Sequence, residues 1–97
     1  MKAYELLFFV APGIEEEIRN AVMERIQNTI TDLKGVVDNV DVWGKRRLAY
    51  EINGLTDGDY TLVDFHADTQ SIAELDRVLR INDSVVRHMI VAREDRE

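Results

Sequence analysis

The protein is a short, acidic chain without cysteine. It has 97 residues, a formal net charge of -7 at pH 7, 45% hydrophobic residues and one proline. We expect residues 1–97 to form a single globular domain without a long disordered segment. The lack of cysteine excludes a disulfide framework, a thiolate metal site and a cysteine nucleophile. No stretch approaches the roughly 20 apolar residues of a membrane span, so we expect a cytoplasmic protein with no membrane contact.

The first half of the chain predicts a strand, a long helix and a second strand. Residues 1–10 carry apolar side chains on both alternating faces, which is typical of a central strand. Apolar residues at three- and four-residue spacing then predict a helix over residues 14–33, with glutamates in its first turn. A second strand is expected over residues 36–52, with a bulge or bend at Gly44.

Two turn signals precede the third predicted strand. They are the Asn-Gly pair at residues 53–54 and the Asp-Gly pair at residues 57–58. We expect residues 55–58 to close a hairpin that leads into a strand over residues 59–67. This hairpin would join the second and third strands as antiparallel neighbours.

The last part of the chain predicts a helix and a final strand. Ser71 and Glu74 have the spacing of a capping box at the start of the second helix. A turn at residues 81–84 leads to a fourth strand over residues 85–92, and we expect residues 93–97 to be frayed. The order β-α-β-β-α-β predicts a ferredoxin-like α+β sandwich, a four-stranded antiparallel sheet with two helices on one face. This fold hosts enzymes, regulators and RNA-binding proteins, so it does not decide the function.

An island of positive charge lies on the second predicted strand. Lys45, Arg46 and Arg47 follow one another without an acid beside them. Such cations can protect an edge strand from aggregation. However, the segment from Arg77 to Arg93 contains four arginines and one acid, whereas the first helix is rich in glutamate. A basic region on an acidic chain favours a partner that carries phosphate groups.

The basic island is part of a motif that resembles a known family. Residues 43–52, WGKRRLAYEI, are similar to the hallmark motif of the bacterial ribosomal protein family numbered sixth in the small subunit. The positions of that motif are occupied here by Gly44, Arg46, Arg47, Leu48, Ala49, Tyr50 and Ile52. Residues 1–5 (MKAYE), 11–13 and 75–90 (LDRVLRINDSVVRHMI) also resemble the family in order and spacing. The resemblance therefore extends over nearly the whole chain.

The resemblance implies a fold and a role for the protein. The fold is the same β-α-β-β-α-β sandwich, and the role is that of a non-catalytic, structural component of the small (30S) ribosomal subunit. Such proteins bind the central domain, or platform, of small-subunit ribosomal RNA as a heterodimer with the small-subunit protein numbered eighteenth. An acidic surface suits a strongly basic partner protein. We expect no cofactor and no small-molecule substrate.

Cations are the candidate RNA contacts, because guanidinium groups bind phosphate bidentately and stack on bases. We predict RNA contacts at Lys2, Lys45, Arg46, Arg47, Arg80 and Arg87. As alternatives, Arg46 and Arg47 would pair within the chain with Asp41 or Glu51. Arg80 at the end of the second helix is explained equally well by the helix dipole.

Apolar residues on the sheet face without helices are the candidate protein contacts. We predict that the partner protein contacts Leu7, Phe9, Trp43, Leu62 and Met89. The alternative is a shallow patch that long side chains shield from water. His66 and His88 lack the converging ligands that zinc requires, so we expect no metal site.

Three other functions are possible on this fold; the residues argue against the first two, and the third is the strongest alternative. An acylphosphatase-like enzyme needs a cation in the loop after the first strand, where this chain has residues 11–13 (APG) followed by glutamates. An RNA-recognition-motif domain stacks bases on its third strand, but here Asp64 lies beside Tyr60 and Leu62. A dimeric regulatory or ligand-binding module would use the open sheet face for self-association, and it leaves the basic island unexplained.

Overall fold

Across the residues that the computed structural model describes, 1–96, the protein forms a four-stranded antiparallel sheet with two helices. The strands are β1 (Lys2–Val10), β2 (Val36–Ile52), β3 (Leu55–Ala67) and β4 (Val85–Ala92). The helices are α1 (Glu16–Asp32) and α2 (Ile72–Ile81), and 3₁₀ turns lie at Thr69–Ser71 and Glu94–Arg96. The chain order and the strand order β2-β3-β1-β4 confirm the predicted ferredoxin-like α+β fold.

The core lies between the two helices and one face of the sheet. Alternate residues of β1 and β3 point into it, and Leu6, Val63 and Phe65 are fully buried there. β1 is the central strand that pairs with both β3 and β4, so its side chains fix which residues meet across the sheet. Since a slip of one residue would exchange the two faces, this pattern strongly specifies the register.

Helix α1 is shorter than predicted, because it begins at Glu16 and not at residue 14. Ile18 has the apolar spacing from which the helix was predicted, and that spacing implies burial, but its side chain is 41% exposed and burial on the helix begins at Val22. An ion pair holds the first turns of the helix to the sheet instead, since Arg19 Nη2 lies 2.8 Å from Asp59 Oδ2 on β3. The prediction counted apolar spacing alone and missed this polar contact.

The β2–β3 hairpin turns at Asn53-Gly54, so the prediction of a turn at residues 55–58 is wrong. Asn53 and Gly54 have φ values of 51° and 80°, as a two-residue type I′ turn requires. β3 therefore begins at Leu55, and Gly58 lies within the strand. The predicted irregularity at Gly44 is confirmed, because Gly44 has a φ of 80° and the β2–β3 register shifts just before it.

Two predicted details near the C-terminus are also wrong. The Ser71 side chain makes no capping hydrogen bond, and Glu74 pairs instead with Arg77. Ser71 already has helical backbone angles as part of the preceding 3₁₀ turn, whereas a capping residue needs non-helical ones. The chain beyond β4 is not frayed up to residue 96, since the Arg93 N–H donates to the Ala3 carbonyl at 2.8 Å and a 3₁₀ turn follows. Glu97 lies outside the described residues.

Gly58 gives Phe9 the room it needs in the sheet. A Cβ added at Gly58 would lie 2.6 Å from Phe9 Cδ1, and the Phe9 ring is only 3% exposed and packs on Tyr60. We expect Gly58→Ala to lower the free energy of unfolding by about 1–3 kcal/mol, as overpacking does elsewhere. Urea denaturation followed by circular dichroism measures this change.

Thr56→Ala is the control for this substitution, because Thr56 is an exposed residue of the same strand. Its effect should stay within about 0.5 kcal/mol. The double variant with Gly58→Ala and Phe9→Leu should be more stable than the variant with Gly58→Ala alone, because leucine leaves room for the added methyl group. Wild-type stability of Gly58→Ala would contradict the proposed clash.

Candidate functional site

The sheet face opposite the helices, which we call the open face, carries four of the five predicted protein contacts. Cross-strand pairing places Leu7 between Leu62 and Met89 in one row. Leu7 and Leu62 are half-buried, and Met89 is 56% exposed. Phe9 lies in the next row of the same face but is buried, so it packs beneath exposed residues of this face and does not itself offer a contact surface. The alternation in the sequence thus placed these residues on one face, whereas their exposure differs strongly.

Trp43, the fifth predicted protein contact, extends the open face as part of an aromatic cluster. The Tyr60 ring lies 5.0 Å from the Phe9 ring and 6.3 Å from the Trp43 ring, between ring centroids. Trp43 lies at the register shift of β2 and its Nε1 donates to Asp41 Oδ2 at 3.2 Å. These contacts hold the indole in place while leaving part of it exposed.

A cleft of 330 Å³ opens beside this cluster, between the β2–β3 hairpin and β4. Tyr50 and Ile52 line it from the hairpin, and Arg87 and Met89 line it from β4. The Tyr50 side chain is 65% exposed. The sequence does not predict this cleft, because only the bend of the hairpin brings the end of β2 towards β4, which is not its neighbour in the sheet.

Five of the six predicted RNA contacts lie at one end of the sheet. At this end the β2–β3 hairpin begins, α2 ends, and β4 starts opposite Val10. We call this the basic end, and it consists of Lys45, Arg46, Arg47, Arg80 and Arg87. Lys2, the sixth predicted contact, pairs with Ala67 at the opposite end of β1. The structure therefore does not bring Lys2 together with the other five.

The basic island itself is divided between the two faces of the sheet. Arg46 lies opposite Gly58 and so shares the open face with Tyr60. Lys45 and Arg47 lie opposite Asp59 and Asp57, which alternate onto the helix side. Three consecutive cations thus surround the strand and do not form one flat patch.

The ion pairs distinguish free from neutralised cations at the basic end. Within residues 1–96, Arg46, Arg47 and Arg87 form no ion pair with a carboxylate. The alternative partners of Arg46 and Arg47 are not used, and Arg46 Nη1 only donates to the Lys45 carbonyl at 3.4 Å. Lys45 Nζ lies 3.8 Å from Asp57 Oδ2, and Arg80 Nη2 lies 3.7 Å from Asp76 Oδ2.

The second basic region predicted from the sequence is largely neutralised in the fold. Arg77 pairs with Glu74 at 2.5 Å, and this hydrogen bond lowers the pKa of Glu74 and raises the pKa of Arg77. Arg93 pairs with Glu5 at 2.8 Å and with Asp95 at 3.2 Å. Among the arginines of this region, only Arg87 forms no ion pair within the described residues, so the count of four arginines against one acid overstates the free positive charge.

The end of the open face away from the hairpin is acidic. We call it the acidic end, formed by Glu5, Asp38 and Asp64. Glu5 and Asp64 are direct cross-strand neighbours, and the side chain of each is 21% exposed. Asp38 Oδ2 lies 2.5 Å from His66 Nδ1. From the hairpin to this end, the open face thus passes from cations through aromatic and apolar rows to carboxylates.

The histidines of the protein make structural contacts. His88 Nε2 lies 2.6 Å from Asp76 Oδ1, which ties β4 to α2. The described residues contain no group of three or more histidine or acidic side chains that could hold a metal ion. None of the described helices has the length and apolar character needed to cross a membrane.

Comparisons with known proteins identify the family. Residues 3–92 match the family described as Ribosomal protein S6. Small ribosomal subunit protein bS6 of Clostridium botulinum is 49% identical over 94 residues, which cover 97% of this chain and 100% of the relative. The protein of the same name from Clostridium acetobutylicum is also 49% identical, with 97% and 99% covered.

A solved structure supports the same assignment. The crystal structure of 30S ribosomal protein S6 from Thermotoga maritima matches with a TM-score of 0.90 and 36% sequence identity, over 97% of this chain and 89% of that chain. The predicted ribosomal class and its location at the ribosome in the cytoplasm are confirmed by these relatives. By both its sequence and its fold, the chain belongs to the ribosomal protein S6 family.

Proposed function

We propose that the protein is a structural component of the small (30S) ribosomal subunit that binds the central domain of small-subunit ribosomal RNA as a heterodimer with the small-subunit protein numbered eighteenth. The family and the names of the relatives support the ribosomal role. The observation that carries the finer proposal is the charge gradient of the open face: Arg46 and Arg87, unpaired among the described residues, lie at one end, and paired carboxylates lie at the other.

RNA would contact the basic end. Among residues 1–96, no carboxylate pairs with Arg46 or Arg87 on the open face, or with Arg47 on the helix side of the hairpin. A guanidinium that no carboxylate neutralises can bind a phosphate without first giving up a partner. The exposed Tyr50 ring beside Arg87 adds a surface on which an unpaired base can stack.

A basic partner protein would contact the rest of the open face. Leu7, Leu62 and Met89 form an apolar row in its centre, and the carboxylates of the acidic end lie beside that row. An apolar centre bordered by charge is the usual anatomy of a protein interface. The carboxylates at this end, Glu5, Asp38, Asp64 and Asp95, outnumber the arginines that pair with them, Arg93 and Arg96, so this end suits a cationic protein and not RNA.

Substitutions at the basic end should weaken RNA binding in a salt-dependent way. We expect Arg46→Ala and Arg87→Ala each to weaken binding of a central-domain RNA fragment by the protein and its partner. The removal of one phosphate-binding side chain should reduce the slope of log affinity against log salt by about one. Titrations at two salt concentrations measure both effects.

Arg25→Ala is the matched control for these RNA titrations, because Arg25 is an exposed cation on α1, outside the basic end. It changes the net charge equally and should leave the salt slope unchanged. If Arg46→Ala and Arg87→Ala bind RNA like Arg25→Ala, the basic end is not the RNA contact.

A carboxylate placed in the apolar row should weaken the heterodimer. Met89→Glu adds a buried charge to the proposed interface, so we expect the dissociation constant for the partner protein to rise at least tenfold, about 1.4 kcal/mol. Isothermal titration calorimetry measures it. Ile18→Glu, an exposed apolar position on α1, is the control and should bind normally. Equal binding by the two variants would argue against the open face as the interface.

A further inference from the structure

The segment after β4 is held on the acidic end by two arginines. The Arg93 N–H donates to the Ala3 carbonyl at 2.8 Å, which continues the β4 pairing by one residue. Arg93 Nη1 lies 2.8 Å from Glu5 Oε2, and Arg96 Nη1 lies 3.3 Å from the same oxygen. Arg96 also pairs with Asp64. Residues 93–96, which we call the C-terminal segment, therefore cover the carboxylates of the open face.

The carboxylate pair creates a site for a guanidinium group. Glu5 and Asp64 lie directly opposite each other on β1 and β3, and like charges in such positions repel. A cation placed between them removes that repulsion, and Arg96 contacts both. Asp95 orients the Arg93 side chain, because it accepts hydrogen bonds from Arg93 Nε and Nη2, both at 3.2 Å. These hydrogen bonds lower the pKa of Asp95.

These contacts are of a kind that a partner can replace. The side chains of Arg93 and Arg96 are 31% and 40% exposed. Ion pairs at such exposure are weak and are screened by salt. A partner that offers its own arginine and also covers the neighbouring apolar row of Leu7 and Leu62 gains the burial of that row in addition to the ion pairs.

We propose that Arg93 and Arg96 occupy, in the free protein, the position that arginine side chains of the basic partner take in the heterodimer. The inference rests on the proposed function, since it concerns the same open face. Partner binding then displaces the side chains of the C-terminal segment from Glu5 and Asp64. The segment acts as an intramolecular competitor, so the partner binds with lower apparent affinity than the uncovered face would allow.

Removing the competitor should strengthen binding of the partner protein. We expect the full-length double variant with Arg93→Ala and Arg96→Ala to bind the small-subunit protein numbered eighteenth roughly three- to tenfold more tightly than wild type. The matched control carries Arg25→Ala and Arg77→Ala, which remove two exposed cations from the helices and leave the open face intact. It has the same net charge, so any general electrostatic effect appears in the control as well.

Calorimetric titration of wild type, double variant and control with the partner gives three distinct outcomes. Tighter binding by the double variant than by the control supports the inference. Equal or weaker binding by the double variant overturns the inference and leaves the proposed heterodimer intact. If none of the three proteins binds the partner, the proposed function fails and the inference fails with it.

A second measurement tests the displacement directly. The side-chain Nη–Hη resonances of Arg93 and Arg96, recorded at low temperature, report their contacts with Glu5 and Asp64 in the nuclear magnetic resonance spectrum, because both arginines make these contacts through Nη1. In the free protein, replacing Glu5 with Gln and Asp64 with Asn should move these resonances towards those of free arginine. Saturating wild type with the partner should move them in the same direction. Resonances that stay unchanged on partner binding would overturn the displacement, even if the affinities behave as expected.

Discussion

The register of β1 against its two neighbours governs most other features of the structure. β1 is paired along both edges, so each of its residues is fixed relative to β3 and β4 at once. Leu6 lies in the core, whereas Glu5 and Leu7 lie on the open face. A slip by one residue would bury Glu5 without a partner and expose Leu6, and a buried unpaired carboxylate is strongly disfavoured.

The same register organises the charge of the open face. It places Glu5 beside Asp64, Leu7 beside Leu62 and Phe9 beside Tyr60, in successive rows. The hairpin then continues the order of rows with Gly58 and Arg46. A chain with a net charge of -7 thus presents guanidinium groups that no described carboxylate neutralises at one end of the sheet, and carboxylates at the other. A partner senses the nearest charges within about 8–10 Å and not the sum over the chain.

A count of cations along the chain is a misleading measure of free charge. Of the four arginines between residues 77 and 93, three have a carboxylate partner in the fold: Arg77, Arg80 and Arg93. The fourth, Arg87, has none within the described residues. The pairs within α2 join residues three or four positions apart, a spacing that the sequence does show. The pair between Arg93 and Glu5 joins opposite ends of the chain, and no local pattern predicts it.

Local patterns in the sequence were sufficient to predict the element order, the fold class, the alternation of β1 and β3 and, through the motif around Gly44, the family. The spacing of apolar residues shows strands and helices in the sequence, because alternate residues of a strand, and every third or fourth residue of a helix, face the core. The folded sheet was needed to establish which arginines lack an ion pair among the described residues and which face of the sheet Arg46 occupies. It was also needed to show that Tyr50 and Arg87 share a cleft and that Arg96 covers Asp64. Turn geometry, bulges and pairs of distant residues produce these contacts, and each depends on where the whole sheet brings two segments together.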